Sequence, residues 1–239
     1  MHWFEATFPG AAENLAADEA LLDLAETHGG DYLRFLAPSD RCVVVGYGNH
    51  LSREVDLEAC ALARVPVLRR CTGGGTVVLG PGCLAYSLVL EIERRPELAT
   101  ITSTNRFVME RHRAALAPLA RDAVRVDGHT DLVLGERKFS GNAQRRRRRA
   151  VLFHGTFLHD FDLTWIPRLL RFPSLQPEYR RDRDHLEFVT NFPASAARLR
   201  DALISAWSAT QAPVPPWDDR IAALRSERYE RAEWHGKFA

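Results

Sequence analysis

Apolar residues recur at helical spacing across residues 14–28, where Leu15, Leu21, Leu22 and Leu24 are separated by alanines and Gly29-Gly30 closes the segment. The pattern then changes to short apolar runs. Residues 32–36 read as a strand, the turn at Pro38-Ser39-Asp40 follows, and Cys42-Val43-Val44-Val45 reads as a buried strand. Asp56 caps a predicted helix that runs to about Arg64 with Leu57, Cys60 and Ala61 on one side. Two further runs, 65–68 and 77–79, flank a glycine stretch and read as strand, turn, strand. After the Gly80-Pro81-Gly82 turn, residues 83–92 form the longest apolar run.

The second half begins with a helix opened by Thr102 or Ser103 and stopped near Pro118. Short strands are expected at 124–126 and 132–134, linked by Gly128-His129-Thr130-Asp131, and the last strand at 151–158. Helices are predicted at 163–170, 194–210 and 218–231. Strands concentrated in the first two thirds and helices at both ends argue for an α+β fold over a βα repeat.

Composition fits one globular domain over 1–239 with a helical C-terminal segment from about 194 and no large accessory domain: 46% of residues are hydrophobic and 26% charged. Lys+Arg of 32 against Asp+Glu of 31 leave a net charge of +1, so no global basic field recruits nucleic acid. Cys42, Cys60, Cys71 and Cys83 show no C-x-x-C spacing, and the start lacks the order of a signal peptide. A reduced, cytoplasmic protein is expected. No apolar run reaches the ~18 residues that span a bilayer, so no membrane association is expected.

The candidate chemistry lies in Arg69-Arg70-Cys71-Thr72-Gly73-Gly74-Gly75-Thr76. Three glycines let the backbone approach a ligand and present N–H groups, and two arginines offer charge to a carboxylate or phosphate. Neither GxxxxGK[ST] nor G-x-G-x-x-G is present. The plain alternative is a tight hairpin with solvated arginines. Lys138, in Arg137-Lys138-Phe139-Ser140-Gly141-Asn142, is a second candidate, since a lysine beside a glycine and a serine can converge on one anion.

The order of these stretches, followed by Phe153-His154-Gly155-Thr156-Phe157, resembles the lipoate protein ligase branch of the biotin and lipoate ligase family. That branch carries RR-x-S-GGG, a polar turn ending in Asn-Asp, K-x-SG-x-A and HG-T/S. The flanks agree at residues 14–22, at Leu33-Arg34-Phe35 and at Tyr229 and Trp234. The resemblance implies a mixed, largely antiparallel central sheet flanked by helices, of class II synthetase type. It implies activation of lipoate or octanoate with ATP and Mg2+ to an acyl adenylate, and transfer to a lysine of a lipoyl acceptor domain of a 2-oxoacid dehydrogenase or a glycine-cleavage-type protein. A separate accessory subunit is a further expectation, because longer ligases carry an extra domain.

By the same resemblance, Lys138 is the catalytic lysine between carboxylate and α-phosphate. Gly73, Gly74 and Gly75 with Thr72 and Thr76 wrap the acyl adenylate, and Arg69 and Arg70 compensate anionic oxygens. Asp131 serves the adenine side or a magnesium ion. Ser140, Gly141 and Asn142 line the pocket from a second loop, and His154 and Gly155 close its floor. A histidine at a strand turn has a structural reading as well.

Three departures alter this picture. Thr72 stands for the family's serine, Leu79-Gly80 for its His-Asp, and Gly82-Cys83 for its Gly-Asn, which removes polar groups from the pocket rim. Gly80-Pro81-Gly82 also resembles the turn of octanoyltransferases, which take an acyl group from acyl carrier protein through a cysteine thioester without ATP. Cys83 is the nucleophile that this route would use. A third reading is a non-catalytic homologue binding a ligand or RNA. The run Arg145 to Arg149 is expected to dock an acidic partner or to protect a strand edge rather than bind nucleic acid.

Overall fold

The computed structural model describes residues 1–238. It is an α+β fold built on an eight-stranded sheet and a smaller three-stranded one. The strands in chain order are β1 (His2–Glu5), β2 (Tyr32–Leu36), β3 (Cys42–Val45), β4 (Val67–Arg69), β5 (Val77–Leu79), β6 (Cys83–Glu91), β7 (Val124–Asp127), β8 (Asp131–Leu134), β9 (Arg137–Arg146), β10 (Ala150–Leu158) and β11 (Thr210–Gln211). The large sheet runs β11-β1-β2-β6-β10-β9-β8-β7, antiparallel except for the two pairings of β1. At its centre β6 is buried along its whole length and reads as a nearly continuous apolar run, while β10 beside it is buried at 150–153 and opens to the cavity at 154–156.

The helices in chain order are α1 (Ala11–His28), α2 (Leu51–Glu54), α3 (Leu57–Leu62), α4 (Ile101–Leu116), α5 (Trp165–Leu169), α6 (His185–Phe188), α7 (Ala196–Ala206), α8 (Asp218–Leu224) and α9 (Ala232–His235). Helix α1 covers one face of the large sheet, where Leu15, Leu21 and Leu22 pack on Val89 and Leu152. The opposite face carries α4 (Ile101–Leu116) and α7 (Ala196–Ala206), whose Val108, Met109, Leu199 and Leu203 meet Leu88, Phe153 and Phe157. The small sheet packs its valines against α5 (Trp165–Leu169) and α6 (His185–Phe188). A cavity of about 820 Å³ opens between it and the large sheet. No helix among the described residues is long and apolar enough to cross a membrane.

Several expectations are corrected. The runs around the glycine stretch do not form a hairpin. β4 and β5 both pair with β3, one parallel and one antiparallel, because the 70–76 segment is long enough to carry the chain across it. The helix predicted from Thr102 or Ser103 begins one or two residues earlier, at Ile101. Thr100 is its cap, and the Thr100 and Ser103 side chains satisfy each other's backbone N–H groups. Residues 218–231 hold the helix Asp218–Leu224 followed by a wider turn at Arg225–Tyr229. β1, too short to announce itself, was absent from the sequence-based expectation.

His112 lies fully buried in the α4 face. Its Nε2 accepts the Trp207 indole N–H at 2.9 Å, so its proton sits on Nδ1, which has no partner among the described residues. Burial, with help from Arg111, pushes its pKa down to about 3. The unfolded chain binds this proton near pH 6.5 and the native chain does not, so stability is lost as pH falls from about 6.5 toward 3. Between pH 7 and pH 5 the loss attributable to His112 is expected to be about 2 kcal/mol. Urea unfolding of His112→Gln, which keeps an acceptor for the indole, should show a loss smaller by that amount.

Candidate functional site

The cavity wall starts from a row of residues in register across the large sheet. Arg34 pairs opposite Ser87, Ser87 opposite His154, and His154 opposite Ala143, so all four point to the α1 face. Asp18 descends from α1 onto this row. Its carboxylate accepts from Arg34 Nη1 at 2.7 Å, from His154 Nδ1 at 2.9 Å, and from the Ser87 hydroxyl. Burial would raise the Asp18 pKa, but the His154 hydrogen bond and the Arg34 charge outweigh it and hold the carboxyl below its ordinary value. With Nδ1–H donated to Asp18, His154 turns Nε2 to the Thr72 hydroxyl at 2.7 Å. Thr72 is buried, so this hydroxyl anchors the glycine turn and is no nucleophile.

The glycine turn is arranged by its arginines. Arg70 donates to Thr72 Oγ1 at 2.9 Å, to the Gly73 carbonyl, and to the Gly75 carbonyl at 2.7 Å. Burial lowers its pKa to about 10, still cationic at neutral pH. The N–H groups of Gly73 to Gly75 have no acceptor among the described residues, so they are free for a ligand. Arg69 differs from its expected role. It is fully buried, does not line the cavity, and gives its guanidinium to the carbonyls of Gly46, Tyr47, Asn49 and His235. Both arginines thus spend most of their donors on the protein's own carbonyls, and of the two only Arg70 borders the cavity.

Lys138 reaches the cavity through an irregularity in β9. Asp131 pairs with Gly141 and Leu132 with Ser140, but Val133 pairs with Lys138, so Phe139 is an extra residue. In an unbroken strand Lys138 would share a face with Ser140 and Asn142. The bulge moves it to the face of Gly141 and Asp131. Its ammonium lies 2.8 Å from Asp131 Oδ1, and a Cβ on Gly141 would stand 2.9 Å from Lys138 Nζ. Asp131 Oδ2 accepts the Tyr179 hydroxyl at 2.8 Å. Burial and the Asp131 charge both raise the Tyr179 pKa, which keeps that hydroxyl a donor.

This geometry does not suit the magnesium role given to Asp131. Both its oxygens are engaged, and no group of three His, Cys, Asp or Glu side chains among the described residues is placed to hold a metal.

Gly74, Gly75, Thr76, Asp131, Lys138, Ser140, Gly141, Asn142, His154 and Gly155 all border this one cavity. The second loop expected to carry Ser140, Gly141 and Asn142 is strand β9, and its pleat splits the residues. Gly141 shares the Lys138 face, while the Asn142 carboxamide fills the space opposite Gly155 on the α4 side. There it accepts from Tyr86 Oη at 2.6 Å and donates to the Thr130 carbonyl at 2.7 Å. Tyr86 thereby ties the central strand to the turn that carries Asp131. Tyr86, Asp18 and Tyr179 were not singled out from sequence. The one available signal was an acidic pair, Asp18-Glu19, in the middle of an alanine-rich helix face.

All four cysteines are buried, and burial raises Cys42, Cys71 and Cys83 to about 12. Cys83 does not line the cavity, which removes the physical basis for a thiolate there. The first three members of the arginine run are folded back on the protein. Arg145 donates to the Cys71 carbonyl, Arg146 to Leu98 and Thr104 beside α4, and Arg147 to Asp23 of α1. β9 is an inner strand, but its 142–146 half pairs only with β10, so these contacts seal a local edge.

The sequence profile of the lipoyl protein ligase A/B catalytic domain matches residues 10–206. The chain belongs to this lipoyl ligase family. Its fold follows that of the bi-partite lipoate protein ligase from Thermoplasma acidophilum, described together with its E2 lipoyl domain. The TM-score is 0.84 at 26% identity, over 100% of this chain and 96% of that one. A lipoate-protein ligase A bound with ATP superposes with a TM-score of 0.80 at 27% identity, over 100% and 98% of the two chains. The octanoyltransferase LipM of Symbiobacterium thermophilum is 31% identical over 227 residues, 82% of this chain and 81% of that protein. Ligases and octanoyltransferases thus stand side by side among the relatives of this lipoyl ligase family member.

A Cβ at Gly155 would lie 1.7 Å from Asn142 Oδ1. Gly155→Ala should therefore expel the carboxamide and destabilise the protein by about 1–3 kcal/mol in urea unfolding.

Proposed function

We propose that this protein is a lipoate-type protein ligase that activates lipoate or octanoate with ATP and passes the acyl group to a lysine of an acceptor domain. The observation that carries the reading is the placement of Lys138. Its ammonium, re-aimed by the Phe139 bulge, faces the same cavity as the free N–H groups of the glycine turn. A carboxylate and a triphosphate repel each other, and a fixed cation between them lowers the cost of their approach.

The carboxylate oxygen attacks the α-phosphorus, the bond to the β-phosphate oxygen breaks, and pyrophosphate leaves. The acceptor amine then attacks the acyl carbon, an amide forms, AMP departs and the amine loses a proton. Asp131 holds the Lys138 ammonium in place, and Gly74 and Gly75 offer N–H groups to the bound oxygens. The apolar wall of Leu15, Leu36, Val44, Val77 and Leu79 suits a medium-length acyl chain.

ATP use in this chain is supported by the likeness to the ligase bound with ATP. No step here is assigned to magnesium. A lipoyl domain as acceptor, of a 2-oxoacid dehydrogenase or a glycine-cleavage-type protein, and a separate accessory subunit are consistent with the bi-partite relative.

The octanoyltransferase reading is favoured by the LipM relative and the Gly80-Pro81-Gly82 turn. Against it stand four buried thiols. An RNA-binding role loses support from the arginine run, of which Arg145, Arg146 and Arg147 are occupied within the protein.

Incubation with octanoate and ATP should release pyrophosphate, and Lys138→Ala should reduce that release by ~10²–10³-fold or more. Gly141→Ala, which forces the amine from its seat, should lose ~10²-fold while melting near the parent. If Lys138→Ala matches the parent, the lysine has been misassigned. Cys83→Ser and Cys42→Ser should both leave release unchanged, and octanoyl carrier protein without ATP should give no transfer. Transfer without ATP, abolished by either substitution, would favour the thioester route instead.

A further inference from the structure

The carboxy-terminal segment 231–238 lies far in sequence from every stretch that carries the chemistry, yet it is bonded to the glycine turn's support at several points. His235, at the end of α9 (Ala232–His235), accepts the Arg69 backbone N–H on Nδ1 at 2.9 Å, and its Nε2–H donates to the Tyr229 carbonyl at 3.0 Å. Its own carbonyl receives Arg69 Nε at 3.1 Å and Nη2 at 3.0 Å. Trp234 Nε1 donates to the Arg69 carbonyl at 2.9 Å. Burial, with the nearby Arg69 charge, lowers the His235 pKa, so the ring stays neutral and Nδ1 keeps its lone pair.

From Arg69 the contacts continue without a break. Arg69 Nη1 donates to the carbonyls of Gly46, Tyr47 and Asn49 at 3.0, 2.9 and 2.8 Å. Tyr47 N–H in turn donates to the Thr72 carbonyl at 2.8 Å, and Asn49 Nδ2 to the Gly74 carbonyl at 3.2 Å. Gly46 packs so closely on the turn that a Cβ there would stand 2.0 Å from the Gly74 oxygen. The same segment grips the far side of this loop, where Leu51 N–H donates to the Phe238 carbonyl and Lys237 Nζ to Tyr47 Oη.

We infer that His235 is a positioning residue for the acyl-binding glycine turn: the carboxy-terminal strap fixes Arg69, Arg69 fixes loop 46–49, and the loop fixes residues 72–76. The consequence for substrate affinity rests on the ligase reading above. The consequence for the turn itself does not. His235 touches no substrate, so its loss should loosen binding of the acid and leave the chemical step, set by Lys138, nearly intact.

Two measurements on the full chain test this with His235→Ala and His235→Asn, whose amide oxygen can take the place of Nδ1. Hydrogen–deuterium exchange at the Tyr47 and Asn49 amides, which donate to the Thr72 and Gly46 carbonyls, should accelerate ~10-fold in the alanine variant, as the loss of one or two hydrogen bonds implies, with β9 and β10 unchanged. Asparagine should restore most of the protection. In pyrophosphate release, the KM for octanoate should rise ~10-fold with kcat within ~2-fold. Unchanged exchange at Tyr47 and Asn49 in His235→Ala would overturn the inference, as would equal loosening of β9 and β10. A parent that releases no pyrophosphate would refute the ligase reading while leaving the exchange result to decide the strap.

Discussion

A guanidinium withdrawn from water must find acceptors for its N–H groups or pay several kcal/mol for each charge left bare. Arg34, Arg69 and Arg70 are all buried, and each meets this demand with backbone carbonyls of segments that would otherwise be loose. Arg34 joins the carbonyls of Ala6 and Asn14 to Asp18, which seats the start of α1 on the sheet. Arg69 and Arg70 do the same for loop 46–49 and for the glycine turn. The irregular backbone around the cavity is thus ordered from within by cations, and the amide N–H groups of Gly73 to Gly75 are left without an acceptor among the described residues.

Register across the large sheet does the complementary task. Arg34, Ser87, His154 and Ala143 stand in one row because β2, β6, β10 and β9 are paired in that alignment. Asp18 can collect three donors only because the row exists. Asp131 and Gly141 form a parallel case on β8 and β9, where direct opposition leaves room above the glycine for the lysine amine.

Long elements were legible in the sequence because their periodicity is local: α1, β2, β3, β6 and β10 all lie close to the expected bounds. The α+β class followed from their order. What sequence hid was non-local. β4 and β5 looked like a hairpin because adjacency in the chain was the only clue to pairing, whereas β3 separates them in space. Arg69 looked like an anion receptor because an exposed and a buried arginine are spelled alike. The face of Lys138 could not be read at all, since alternation assigns it to the side of Ser140, and only the unpaired Phe139 reverses that. Asp18 and Tyr179 stayed hidden for the same reason: their partners are 136 and 48 positions away.

The bulge makes strand length part of the packing. Excising Phe139 would give β8 and β9 a regular ladder with Lys138 still opposite Val133 and on the face of Asp131, but it would empty the place that the Phe139 ring fills against Phe157 and Phe192. A lineage that lost this codon would keep its cation in position and would have to refill the core beneath it.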